Sequence, residues 1–173
     1  YGVYDHYKHT KDNKFLEENL KMCEKATEFL FAYTENLLNI DEEDLVKKEL
    51  QEKYKKYFEI TKHVSYDLWE MCEGVHLYSL ASIYSAFDCM LKIYDNLGKN
   101  VSEFENNRLK EEKINKSKKA IEKMLVEVKK YINQNMYDED KKAYVRNAQD
   151  KKMDISILGT VTPFNVFKAK EKK

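Results

Sequence analysis

The chain has 173 residues, 42% of them hydrophobic and 36% charged, which is enough apolar material for one domain with a core and too little length for two. Its 31 basic and 31 acidic side chains cancel to a net charge of +0, so no field favours nucleic acid or an anionic membrane surface. With Tyr 13 and Phe 8 in the count, the composition also excludes a disordered chain, which lacks such groups to bury.

In chain order, Tyr1-Gly2-Val3-Tyr4 stands at the start without a methionine and already in apolar rhythm, so a cut end is expected there. His6 and His9 follow, three apart on a predicted helix and able to share a face. No acid or sulfur accompanies them at ligand spacing, which favours a surface or packing role over a metal site. From Asp12 to Leu38, Phe15, Leu16, Leu20, Cys23, Ala26, Phe29, Leu30, Tyr33 and Leu37 recur every three or four residues behind Asp12 as a cap. That pattern predicts a long amphipathic helix over 13–38. Met22, Met90 and Met124 sit at core periodicity. Asp41 to Lys62 is mainly charge, with Leu45, Leu50, Tyr54, Tyr57 and Phe58 between, and reads as a helix on the outside.

Ser65 to Tyr78 reads as a loop. His76 to Leu97 is apolar on nearly every side, the mark of a buried helix, with Gly98 as its expected end and Ser102 with Glu105 as a capping box for the next. That next helix, over 103–134, carries Ile114, Ile121, Leu125, Val128 and Ile132 down one seam. Residues 136–147 read as a small hairpin with an acidic turn, the one strand pair expected. Met153 to Phe167 is apolar enough to be buried, with Asp154 and Ser156 as candidate caps of a short helix. No internal repeat appears. The expected fold class is all-α with one small β-hairpin.

Cys23, Cys72 and Cys89 are odd in number and scattered, the pattern of neither a disulfide framework nor a zinc site, and reduced thiols in a cytoplasmic protein are expected. No apolar run approaches the roughly 18 residues of a membrane span. There is no glycine-rich phosphate loop, no G-x-S-x-G and no Cys-His pairing for a nucleophile.

The stretch S-Y-D-L-W-E-M-C-E-G-V-H-L-Y, residues 65–78, is different, because the chain's only tryptophan stands among acids. Tyr66, Leu68, Trp69, Met71 and Val75 are bulk that tends to be buried, and burying it would carry the Asp67 and Glu70 carboxylates with it. Two readings remain open. Either Asp67 caps a turn and Glu70 is solvated, or a carboxylic acid in an aromatic pocket has its pKa raised and protonates a glycosidic oxygen, with Trp and Tyr as stacking surfaces for a sugar.

Y-D-L-W-E at Tyr66 to Glu70, followed by G-V-H-L-Y-S-L-A-S, resembles the acid-bearing loop of the glucoamylase family, glycoside hydrolase family 15, in its archaeal and bacterial oligosaccharide-hydrolysing branch. Two further stretches agree in order: Y-D-H-Y-K-H-T-K-D from Tyr4 to Asp12, and Y-V-R-N-A-Q-D-K-K-M-D-I-S-I-L-G-T-V-T-P-F-N-V-F from Tyr144 to Phe167. The resemblance covers about half the chain by position. It implies a six-fold α/α barrel, of which residues 1–173 would form about half as a single partial domain, an internal piece of the catalytic domain. It further implies inverting exo-hydrolysis of α-glucosidic bonds in oligosaccharides, with no cofactor and no metal.

Carried over by position, Glu70 becomes the general acid, Asp67 and Trp69 shape the sugar site around it, and Tyr66 neighbours them. Met71 departs from the family, which commonly has a second Glu there. The family's base comes from beyond this stretch and its sugar-gripping Arg-Asp pair from before it, so the isolated chain is expected to be inactive. The implied partners are an oligosaccharide and the remainder of the barrel, not nucleic acid or membrane. Alternatives are a trehalase or dextran-type exo-hydrolase of the same fold, and a non-catalytic helical interaction domain that keeps the motif as a relic.

Overall fold

A computed structural model describes residues 1–38, 51–57, 65–100 and 107–168, with side chains for all of these except 99–100 and 107–113. The expected capping box at Ser102 and Glu105 lies outside the described residues, as does most of the charged helix placed over Asp41 to Lys62. Of the latter, 51–57 is helical. It docks on the preceding helix through Gln51, whose Nε2 donates to Ala32 O at 3.0 Å.

The molecule is mostly helical. Helix α1, Gly2–Thr10, ends where Lys11 turns left-handed (φ 57°) and its N–H bonds to Tyr7 O. Helix α2, Asn13–Leu38, starts where the sequence places it, because Asp12 Oδ1 accepts the N–H of Phe15 at 3.0 Å and satisfies one of the orphan donors of the first turn. Helix α3, Leu77–Asn100, and helix α4, Asn107–Asn135, are the other long helices among the described residues. A 3₁₀ turn at Ile155–Thr160 follows, capped by Asp154, whose side chain accepts from Ser156 N.

Helix α3 touches α1, α2, α4 and the 3₁₀ turn, and it is the axis of the core. Leu77, Leu80, Ala81, Ile83, Phe87, Met90, Ile93, Tyr94 and Leu97 are buried along it, as a helix apolar all round must be. From α2 comes Leu16, and from α4 come Ile121, Met124, Val128 and Ile132. Phe31 of α2 meets Phe87 edge to face, ring centroids 5.2 Å apart.

Four expectations are corrected. Gly98 does not end α3, which runs two residues further to Asn100; one glycine in a last turn costs about 1 kcal/mol, too little to stop a helix with a packed face. Met22 is 55% exposed, on the outer side of α2, so its spacing did not make it core.

The hairpin over 136–147 exists, with β3 (Tyr137–Asp138) antiparallel to β4 (Ala143–Tyr144), but a second strand pair stands beside it. β1 (Ser65–Tyr66) pairs antiparallel with β2 (Glu73–Gly74) inside the stretch expected to be loop. Strands of two residues are too short to leave a period in the sequence.

The tail is buried in part, with Val166 in the core and Ile157, Phe164 and Phe167 packed against it, but three of its large apolar residues face outward. Met153, Ile155 and Leu158 are exposed while Ser156, Gly159 and Thr160 are buried. A 3₁₀ turn eclipses residues three apart, so Ile155 and Leu158 share one face and Ser156 and Gly159 the other. The small face goes inward because Tyr78 lies against it: a Cβ on Gly159 would stand 2.8 Å from Tyr78 Cδ2. Phe164 then closes over Tyr78, centroids 5.1 Å apart.

Candidate functional site: an acid at the tip of a short hairpin

The loop is built from its ladder outward. Ser65 stands opposite Gly74 and Tyr66 opposite Glu73, and the pairing extends one step as Asp67 N donates to Cys72 O at 3.0 Å. Asp67 O then accepts from Glu70 N, also at 3.0 Å, closing a turn over Leu68 and Trp69. The Asp67 side chain holds that turn from within: Oδ1 accepts Met71 N at 2.6 Å and Cys72 N at 3.3 Å. This places Glu70 at φ 55°, a left-handed backbone that costs an ordinary residue about 1–2 kcal/mol. Lys11, Lys142, Lys151 and Asn165 share that conformation. Glu70 is the acid among the five.

The bulk expected inside is outside. Tyr66, Leu68 and Trp69 are exposed, Trp69 by 52% and Met71 by 79%, and the Glu70 carboxylate is exposed with them. Of the residues expected inside, only Asp67 and Val75 are buried. The reason is the turn itself: Asp67 satisfies two backbone amides from the inner side, so Leu68 to Met71 must arch over it. Trp69 and Tyr66 are therefore open ring surfaces on the same hairpin as Glu70. Tyr66 is further engaged with Glu73 directly across the ladder, and this hydrogen bond, followed by the charge of Glu73, holds the phenol above its usual range.

Burial pushes the Asp67 carboxyl up, but the Met71 and Cys72 amides pull it down, with His76 and Arg146 adding to them, and the balance lies below the usual carboxylate range. The loop is fastened to a second segment. His76 and Asn147 form an antiparallel bridge, Leu77 N donates to Arg146 O at 2.9 Å, and Ala148 N donates to Val75 O at 3.3 Å. Arg146 in turn grips Asp150 at 2.8 Å and Asp154 at 3.2 Å. Burial raises both of these carboxyls, and their hydrogen bonds, to Arg146 among others, outweigh it and leave both low.

Gly74 sits where the two segments come closest. A Cβ there would stand 2.4 Å from Asn147 Nδ2 and 3.0 Å from Gln149 Oε1. Gly74→Ala is therefore expected to destabilise the protein by about 1–3 kcal/mol through overpacking, read as a lower denaturant midpoint. Gly98→Ala, with nothing within 4 Å of its Cβ, is the control and gains about 0.5–1 kcal/mol.

The low carboxyls set an acid limit. Asp67, Asp150 and Asp154 each titrate lower folded than unfolded, so the native state binds fewer protons and acid favours unfolding. Their contribution is fully present above the unfolded value of about 3.9 and is lost as the pH falls through the folded values. Thermal midpoints should be level from neutrality down to about pH 5 and fall steeply below about pH 4. An Arg146→Met variant should soften that fall.

Two of the three stretches that carry the resemblance meet here: residues 74–77 lie on 146–149. The third, on α1, contacts α3 elsewhere, through Tyr7 OH to Asn96 Oδ1 at 3.2 Å. His6 packs on Phe15, centroids 4.3 Å apart, and His9 Nδ1 lies 2.8 Å from Asp5 O. Among the described residues no three His, Cys, Asp or Glu side chains group to hold a metal, and no helix is long and apolar enough to cross a membrane. Residues 146, 147 and 149, the supports of the loop, carry no motif that singles them out, lying in a polar run, R-N-A-Q-D-K-K, between the hairpin and the apolar tail. Compared with known proteins, the chain matches no protein-family model, no curated protein and no solved structure.

Proposed function

We propose that the hairpin tip is the acid-bearing loop of a glucoamylase-like glycoside hydrolase, with Glu70 its general acid, in a six-fold α/α barrel of which this chain supplies about half. The observation that carries the reading is the presentation of Glu70. A turn anchored by a buried aspartate holds Glu70 exposed in a left-handed conformation, on the same short hairpin that exposes Tyr66 and Trp69. Unusual backbone retained at one acid is a feature of functional sites, and open aromatic rings are what the C–H face of a sugar stacks on.

The exposed apolar side chains are in keeping with the barrel. Leu68, Met71, Met153, Ile155 and Leu158 are large and uncovered, apolar surface that further helices could cover. On this reading the remaining helices cover part of it, and these together with the sugar exclude water from Glu70. The acid then protonates the glycosidic oxygen as the bond breaks. A carboxylate from outside these residues activates water on the opposite face of the sugar, giving inversion. Tyr66 and Trp69 orient the ring, and Asp67 holds the turn.

Trp69 is the only tryptophan, so indole fluorescence reports on the site directly. Maltooligosaccharides added to the protein should shift or quench it in a saturable way, with lactose inert. Release of reducing sugar from maltose, isomaltose, dextran and trehalose by a protein with the barrel complete then assigns the linkage. Fluorescence indifferent to every glucan would sink the reading.

A further inference from the structure

The hairpin that carries Glu70 stands on a narrow joint. Strand β2 ends at Gly74 and α3 begins at Leu77, so Val75 and His76 alone link the strand to the core helix. Strand β1 is tied to α3 by Ser65 Oγ and Ser79 Oγ, 3.2 Å apart. The tip stands about 10 Å beyond Gly74, at about 3.3 Å per residue of strand, so a rotation of about 6° at the joint carries it about 1 Å. A shift of about 1 Å is enough to cost an enzyme about 10²-fold in rate. What fixes the angle at the joint therefore matters to the acid at the tip.

The Asn147 side chain occupies that joint. His76 stands opposite Asn147 in their antiparallel bridge; opposed residues share a face, and Gly74, two residues before His76, lies on the same one. Gly74 leaves a notch there. A Cβ on it would stand 2.4 Å from Asn147 Nδ2 and 3.3 Å from Asn147 Cγ, so the carboxamide fills the place of the missing side chain. Asn147 and His76 are each 2% exposed. The carboxamide is locked at both ends. Gln149 N–H donates to Asn147 Oδ1 at 2.7 Å; a backbone amide only donates, so the oxygen faces it, and the nitrogen faces His76 Nδ1, 3.3 Å away. That nitrogen also only donates, so Nδ1 accepts and the neutral imidazole carries its proton on Nε2. Leu77 N to Arg146 O at 2.9 Å and Ala148 N to Val75 O at 3.3 Å hold the two segments in register around it.

We propose that Asn147 is a positioning residue: a buried wedge between Gly74 and the His76 ring that sets the tilt of the hairpin on α3, and through it the place of Glu70. The main-chain bonds decide which residues are opposed, but paired strands vary in twist over about 25°, so register alone leaves the tilt open. A carboxamide held by a hydrogen bond at each end closes that freedom. Asn147 acts on Glu70 only through β2 and the turn that Asp67 holds. The wedge stands on geometry alone, whereas its consequence for an acid catalyst rests on the glucoamylase-like reading.

Residual dipolar couplings of the backbone amides test it, because they report the direction of the hairpin relative to α3. Asn147→Ala empties the notch, and the couplings of residues 66–73 should change together, as a rotation of about 6° or more, while those of α3 stay as they are. Asn147→Asp keeps the shape and the acceptor for Gln149 N but turns the other bond around: an acceptor now faces Nδ1, which should move to the nitrogen resonance of a protonated atom, and the hairpin should keep its direction. In the unaltered protein the ring proton should lie on Nε2. A side chain that merely added stability would lower the unfolding midpoint without turning the hairpin. Amides of α3 report whether each variant is folded; where one is not, the other variant and the tautomer of the unaltered protein decide. Unchanged couplings in a folded Asn147→Ala protein, a turned hairpin in Asn147→Asp, or a proton on Nδ1 in the unaltered protein would overturn the wedge. A hairpin that turns in Asn147→Ala while Trp69 is blind to glucans would leave the wedge standing and overturn the functional reading.

Discussion

Glu70→Gln, introduced into a protein with the barrel complete, is expected to lower the hydrolysis of maltose-type substrates by about 10²–10⁴-fold, the range for loss of a general acid. Cleavage of glucosyl fluoride should largely survive. The maltose leaving group is an alcohol that must receive a proton as the bond breaks, whereas fluoride leaves without one. The substitution is well matched to this purpose. Glu70 sits at φ 55°, and glutamine bears the same backbone strain, so the turn and the Asp67 anchor are left as they are. Equal loss on both substrates would mean that Glu70 binds or folds and does not donate. Trp69 fluorescence gives the binding control, since the variant should still respond to maltooligosaccharide.

Phe87→Ala is expected to cost about 3–5 kcal/mol, the range for emptying a fully buried aromatic site. Phe87 has no exposed surface. It stands on α3 midway along the core and meets Phe31 of α2 edge to face, a contact worth about 0.5–1.5 kcal/mol beyond its buried area. Its neighbours belong to long helices that cannot collapse onto the space without breaking their own packing. Against a total stability of about 5–15 kcal/mol, such a loss is a large fraction, and at the low end of that range it leaves the protein barely folded. Guanidinium unfolding followed at Trp69 should show a much lower midpoint with an unchanged slope. Met22→Ala, on the exposed side of α2, should stay within about 0.5 kcal/mol of the parent. A Phe87→Ala protein as stable as the Met22→Ala protein would refute the placement of the core.

Helix positions were legible because they rest on local chemistry. The three-to-four spacing of Phe15 to Leu37 and the Asp12 cap are properties of neighbours in the chain, and α2 begins and ends within the range they predict. The all-round apolar character of His76 to Leu97 identified the buried helix for the same reason. Asp154 was recognised as a cap because capping acts over two or three residues, and the role of Asp67 in holding the turn is equally local.

What only the tertiary structure decided is which way side chains face where local pattern is silent. Leu68, Trp69 and Met71 are as apolar as any core residue, yet the inward pull of one aspartate on two backbone amides turns them out. Ile155 and Leu158 face solvent because Tyr78 tolerates only a glycine against its ring. The partners that hold the candidate site, Asn147 and Gln149, lie more than seventy residues along the chain from His76 and Val75, with separations of 71 and 74. No spacing rule spans that distance. Residue types and their periods determine which segments become helices and which acids can cap them, but the direction of a loop is settled by the competition among distant groups for the same small space.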